Sequence, residues 1–281
     1  MATPDEGTSG QGGYDPSFLG PEAPFPHLPG VDLARLDYTH FSIAVHPERR
    51  LAAVTGVVID GARMVDVERS GDTWVLDPRL PATAQTGEAV YADNDLDRGH
   101  LVRRRDPAWG TQEEAERANA DTFHYTNAAP QASRFNQGLE LWNGLENYLL
   151  DNAVTGQRRL AVLTGPVLAP DDPPYRGTLI PRRFYKVAAF VDSEQLAATA
   201  YVLDQTPQLP DLETAAATRA AAGETPPLGP FRTFQVPVAD VAELTGLELG
   251  AYVAADRYVP ASGVREERWR LLSGYADVVL S

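Results

Sequence analysis

The sequence predicts an α+β fold in one domain, built on a largely antiparallel or mixed sheet. Segments with strand-like alternation outnumber segments with a helical period, and they arrive in groups instead of alternating one by one with helices. No internal repeat divides the 281 residues, and 43% hydrophobic content supplies ample material for a core.

Taken in order, residues 1–30 are rich in Gly and Pro and lack a periodic pattern. They read as a flexible N-terminal extension or a strap, ahead of a domain spanning residues 31–281. Phe41, Ile43 and Val45 alternate between His40 and His46, and Leu51 to Ile59 is a second apolar run, so both predict strands. Asp60-Gly61 signals a tight turn after which Arg63 to Val67 is expected to return as a hairpin partner. Pro78, Pro81 and scattered acids predict a long surface loop from Trp74 to Asp95, crossing towards the functional face. Thr111 with Glu114 forms a capping box that opens a polar helix through Ala120, and Asp121 to Asn127 has the composition of a short strand.

Leu139, Trp142, Leu145 and Leu149 recur at helical spacing, predicting a helix from just after Asn136 to about Leu150. Asn136, Glu140, Asn143 and Asn147 share its polar face. Strands are expected over Arg159 to Thr164, closed by Gly165-Pro166, and over Phe184 to Val191 and Leu196 to Leu203. An Ala-rich connector from Thr214 to Gly223 precedes a strand over Phe231 to Val236. A short helix from Val238 to Leu244 then ends at Gly246.

Composition removes several kinds of chemistry. Without cysteine there are no disulfides, thiolate nucleophiles or Cys-based zinc sites, so any metal falls to His, Asn, Asp or Glu. A net charge of −15 argues against a general nucleic-acid coat, and any phosphate contact has to be local. No apolar run approaches the ~18 residues of a membrane span. Met1 to Gly20 lacks the basic start and apolar stretch of a secretory signal, so the sequence as given reads as cytoplasmic, with export left open. Lys186 is the only lysine, which compositional bias explains more simply than function.

The chemistry concentrates in Asp97-Arg98-Gly99-His100 and, downstream, Asn136. Phosphodiester hydrolysis needs an activated water and stabilisation of charge on the phosphoryl oxygens. A neutral imidazole such as His100, with an ordinary pKa of about 6.5, suits the first need. A divalent ion on a neutral Asn136 oxygen suits the second, and Arg98 and Arg134 have forks that match phosphate. Each residue also has a plainer role. Taken alone His100 is a hydrogen-bonded structural histidine, Asn136 an N-cap, His124 a packed residue, and Arg103 to Arg105 either a basic patch or an ion-pair cluster with the surrounding acids.

Four linked motifs in order then resemble a known family. Asp97-Arg98-Gly99-His100, Thr126-Asn127 with Pro130-Gln131, Phe135-Asn136-Gln137, and Trp142 with Leu145-Glu146 are similar to the DNA/RNA non-specific endonucleases. These are the ββα-metal or His-Me finger nucleases, which include bacterial sugar-non-specific nucleases and mitochondrial endonuclease G. The resemblance runs from about Tyr38 to about Gln205, and more faintly to the helix near Val241.

It implies a ββα-metal fold with a metal-binding helix, His100 as general base and Asn136 as sole direct protein ligand of a hydrated Mg²⁺, Mn²⁺ or similar ion. Arg98 would bind phosphate, Asn127 would position the site or the substrate, and Glu146 would orient metal-bound water. DNA and RNA would be cut to 5′-phosphate fragments with little sequence preference. Two departures stand out. Asn136 to Glu146 is two residues longer than the family pattern, placing Glu146 about 80° from Asn136 on a regular helix and leaving Glu140 or Asn143 as alternatives. The upstream phosphate-binding arginine is not in its usual place, and Arg69 is the nearest substitute. The alternative reading is a catalytically weak nuclease-like module that binds nucleic acid or a toxin partner. No membrane partner is expected, and a homodimer and a protein inhibitor stay open.

Overall fold

All ten residues of Leu51–Asp60 are buried, polar Thr55 included, so this strand needs a neighbour on each edge and cover on each face. A computed structural model provides both. It describes residues 12–68, 73–132, 137–206, 232–258, 260, 268–273 and 277, with backbone only for 137–143 and 152. In chain order the strands are β1 (Ala34–Tyr38), β2 (Phe41–His46), β3 (Leu51–Asp60), β4 (Leu96–His100), β5 (Ala128–Ala132) and β6 (Arg159–Val167). They continue as β7 (Pro174–Tyr175), β8 (Thr178–Leu179), β9 (Arg183–Asp192), β10 (Gln195–Asp204), β11 (Arg232–Val236) and β12 (Arg270–Leu271). The helices are α1 (Glu88–Tyr91), α2 (Gln112–Asp121), α3 (Gln137–Thr155), α4 (Val238–Thr245) and α5 (Gly250–Ala254).

Among the described residues one antiparallel sheet has the order β1-β2-β3-β6-β9-β10-β11-β12, and β4 pairs with β5 apart from it. Strand alternation sends two apolar sets to opposite faces. On one face Ile43, Val57, Ile59, Val162, Ala188 and Tyr201 pack with Leu145, Leu149, Leu150 and Ala153 of α3 and with Leu101 and Val102 just after β4. On the other, Val54, Val58, Leu163, Val187, Ala200 and Val202 pack under α4, α5 and the N-terminal strap. Each buried leucine of α3 contributes about 2 kcal/mol. That seats the β4–β5–α3 unit, the ββα element, on the sheet. Among the described residues no helix is long and apolar enough to cross a membrane.

Several expectations are corrected. Residues 12–30, read as part of a flexible extension, lie packed: Tyr14 is buried, and its hydroxyl meets Ala23 O at 2.9 Å and Tyr252 at 3.0 Å. Arg63 to Val67 is not a hairpin partner, because β6 holds that edge of β3 and only a Met64–Trp109 bridge forms. The turn itself is set by Gly61, whose N–H donates to Arg158 O and where a Cβ would lie 2.1 Å from Ala153 O. The Trp74 to Asp95 stretch runs over the surface as expected, with most of its residues exposed or half-buried, and is fastened to the sheet at a few points. Buried Asp77 accepts from Tyr38 Oη at 2.5 Å and from the Arg79 fork, and the stretch includes α1, with Val90 and Tyr91 buried.

The strand expected over Asp121 to Asn127 is the end of α2 followed by a 3₁₀ turn, Tyr125–Asn127. β6 runs through Gly165-Pro166 to Val167. A Cβ on Gly165 would meet Ala53 O at 2.6 Å, and Pro166 sits past the β3 pairing, where its missing N–H leaves no gap in that ladder. The Thr111 capping box, the remaining strands and the left-handed Gly246 after α4 agree with the sequence. The Thr214 to Gly223 connector lies outside the described residues.

Candidate active site

β4 ends at His100, and the period of two puts Arg98 and His100 on one face of it. His100 is half-buried against two rings, Trp74 at 4.5 Å and Phe123 edge-on at 5.0 Å. A short parallel bridge brings those rings together: Val75 N donates to Phe123 O at 3.0 Å, and Tyr125 N to Val75 O at 2.9 Å. The two rings also touch each other at 5.5 Å, so the three form one cluster that packs one side of the imidazole and limits its rotation.

Arg98 reaches away from the ring pair to Glu88 at the start of α1. Its Nη2 and Nε donate to Glu88 Oε2 at 2.5 and 3.2 Å, and Tyr125 Oη donates to the same oxygen at 2.5 Å. The Arg98 bond, followed by the Tyr125 bond, holds the Glu88 carboxyl below the usual carboxylate range. Both partners are substantially exposed, so a phosphate can compete for the guanidinium at small cost.

Asn127 is fully buried and lies behind β4. Its Oδ1 accepts from Val102 N at 2.9 Å, and its Nδ2 donates to Val102 O at 2.8 Å and Thr122 O at 2.9 Å. Leu101 N donates to Asn127 O, extending the β4 pairing past His100. Every polar atom of the side chain is spent on backbone, so Asn127 acts on the site by fixing the strand that carries His100. None of these contacts leaves a polar atom of the side chain turned away from the backbone.

Glu146 sits in the third turn of α3, almost fully buried. Its oxygens lie 3.4 Å from Arg103 Nε and 3.3 Å from Lys186 Nζ. Arg103 also donates to Asn147 at 2.7 Å, and Arg104 to Val67 O at 3.2 Å, so the three-arginine run is largely an internal clamp with Arg105 exposed. His124 is packed, its Nδ1 2.9 Å from Asp121 O. Arg69, Arg134 and Asn136 lie outside the described residues, as do the side chains of Glu140 and Asn143. Sequence reasoning did not assign roles to Trp74, Phe123 or Glu88. Trp74 carried the only signal, as the aromatic residue next to the misplaced upstream arginine.

Among the described residues no three His, Asp or Glu side chains converge as a metal cluster. A hard cation that keeps most of its water needs only one or two protein oxygens, so such a cluster is not a requirement for holding one.

The model of the DNA/RNA non-specific endonucleases matches residues 26–256. An uncharacterised protein of Sinorhizobium fredii, y4fB, is 40% identical over 96% of this chain and 43% of its own length. Mitochondrial endonuclease G is 33% identical in Bos taurus, over 37% of this chain and 32% of the relative. In Homo sapiens it is 29% identical, over 51% and 46%. The chain thus spans less than half the length of these curated relatives. A crystal structure of an EndoG/EndoGI complex, described as showing the mechanism of EndoG inhibition, superposes with a TM-score of 0.56 at 19% identity. It covers 78% of this chain and 86% of that one. The α+β architecture with its β4–β5–α3 element is therefore the ββα-metal nuclease fold, and the chain belongs to the DNA/RNA non-specific endonuclease family.

Proposed function

We propose that this protein is a metal-dependent endonuclease that hydrolyses phosphodiester bonds in DNA and RNA without sequence preference. The observation that carries the reading is His100 packed against the Trp74–Phe123 ring pair on the same face of β4 as Arg98, within the family's ββα element. His100 takes the proton from water as its oxygen attacks phosphorus. The P–O3′ bond breaks and the leaving O3′ takes a proton from solvent water, leaving a 5′-phosphate on one fragment and a 3′-hydroxyl on the other. Arg98 leaves Glu88 to hold a non-bridging phosphate oxygen, with Arg134 and Arg69 as further phosphate ligands. Asn136 would hold Mg²⁺ or a similar divalent ion, which when bound would supply charge stabilisation for the phosphoryl group. In a chain of net charge −15, cationic groups gathered at the site would be what draws the polyanion in.

The protein with Mg²⁺ should nick supercoiled plasmid and degrade RNA, and EDTA should abolish both. Asn136→Ala should raise the Mg²⁺ concentration needed for half-maximal activity. A wild type inactive with Mg²⁺ and Mn²⁺ would instead favour the nucleic-acid-binding module.

The Glu88 contact yields a separate expectation. Glu88→Gln weakens the grip on Arg98, and because an exposed pair is worth under about 1 kcal/mol, KM for a DNA duplex should fall by no more than about fivefold with kcat little changed. Steady-state kinetics measures this, and a raised KM would place Arg98 in the productive pose only when Glu88 holds it.

A further inference from the structure

Lys186 is the chain's single lysine, and it is 2% exposed in the middle of β9. Phe184 and Ala188 flank it on the face of the sheet that packs against α3. Its ammonium donates to Thr164 Oγ1 of β6 at 2.8 Å and lies 3.3 Å from Glu146 Oε1. Arg103, three residues past His100, meets the other Glu146 oxygen at 3.4 Å. Asp106 completes the group. Burial pushes its carboxyl up, Arg103 and Lys186 pull it back, and Glu146 adds to the upward push. Two acids and two bases thus lie together between the sheet, α3 and the segment leaving β4.

Stability alone is a poor account of such a cluster. Desolvating charges costs about as much as their pairing returns, and apolar replacements of similar shape are often neutral or better. The choice of lysine also needs a cause in a chain that uses arginine everywhere else. A compact ammonium satisfies Thr164 and Glu146 from one point inside the sheet–helix interface, where a planar guanidinium needs more room and a different fan of acceptors.

We propose that Lys186 is a positioning residue for the nuclease reaction. It fixes the Glu146 carboxylate, and through the Glu146–Arg103 contact it sets helix α3 against the segment that carries His100. The inference rests on the nuclease reading above. The strut runs from β9 through Glu146 to Arg103, so losing its foot in the sheet lets α3 and the β4 exit shift against each other while the apolar contacts of Leu145, Leu149 and Leu150 keep them docked.

The test compares wild type, Lys186→Met and Lys186→Met with Asp106→Asn, each assayed on a DNA duplex with Mg²⁺ well below its melting temperature. The double variant removes one cation and one anion, so the cluster stays neutral and the fold is protected even where the single variant unfolds. If Lys186 positions Glu146, both variants should lose about a hundredfold in kcat, as expected for a misplacement near 1 Å, with KM moved by no more than about threefold. Wild-type kcat in the folded single variant, or its recovery in the double variant, would reduce Lys186 to charge balance and overturn the proposal. An inactive wild type would overturn the nuclease reading itself, which keeps the two failures apart.

Discussion

His100→Ala should lower phosphodiesterase activity by about 10²- to 10⁴-fold, the range supplied by a positioned general base. The folded protein should lose little. The imidazole is half-buried, Trp74 and Phe123 keep contacts with each other at 5.5 Å, and Leu101 and Val102 on the following turn stay in the core. A stability cost of about 1 kcal/mol is the expectation for truncating such a ring. Kinetics and thermal melting on one preparation separate two roles. Lost activity at nearly unchanged melting temperature identifies a base. A large drop in melting temperature with activity retained in the cold would make His100 a packing residue, the plainer role its sequence context also allows.

The parts of the fold that were legible in the sequence are those where burial imposes a pattern. β2, β3, β9 and β10 are apolar and β-branched because they lie inside the sheet, covered on both faces. β1 was missed although Ala34, Leu36 and Tyr38 alternate with Arg35 and Asp37, because it is a five-residue edge strand without a β-branched residue whose polar side chains pair at 2.9 Å outside the core. β4 and β5 were missed for a stronger reason. Their sequences, LDRGH and AAPQA, have no β-branched residue, and each is a strand only because the other is its partner. Catalytic residue types displaced the residues that advertise a strand, so the site was legible as a motif while its secondary structure was not.

The helix after Asn136 was read about five residues short. Leu150 and Ala153 continue its buried stripe, but Asp151 and the approaching Gly156 masked it. The cluster around Glu146 was legible only as an oddity of composition, since nothing local links Arg103, Asp106 and Glu146 to a lysine forty residues further on.

Asn127→Ala should be the most destabilising substitution at the site, and its effect on activity should follow from that. The side chain is fully buried and makes three hydrogen bonds to backbone, at 2.8 to 2.9 Å, that no water can replace. Truncation strands Val102 N and two carbonyls, and one orphaned buried group costs about 1–3 kcal/mol, so a total of about 3–5 kcal/mol is expected. Asn127→Asp should be at least as harmful. It preserves shape and the acceptor for Val102 N, but aims a carboxylate oxygen at Val102 O and Thr122 O, where the native amide donates. The released segment is the one between His100 and Arg103, so the surviving folded fraction should also show reduced kcat. Denaturant unfolding beside kinetics on the folded protein tests the order of cause. If Asn127 contacted substrate, the alanine variant would keep its stability and lose activity. The expected pattern is the reverse, a large loss of stability with Asn127→Asp no better, because this side chain holds the chain in place for His100 and never faces the phosphate.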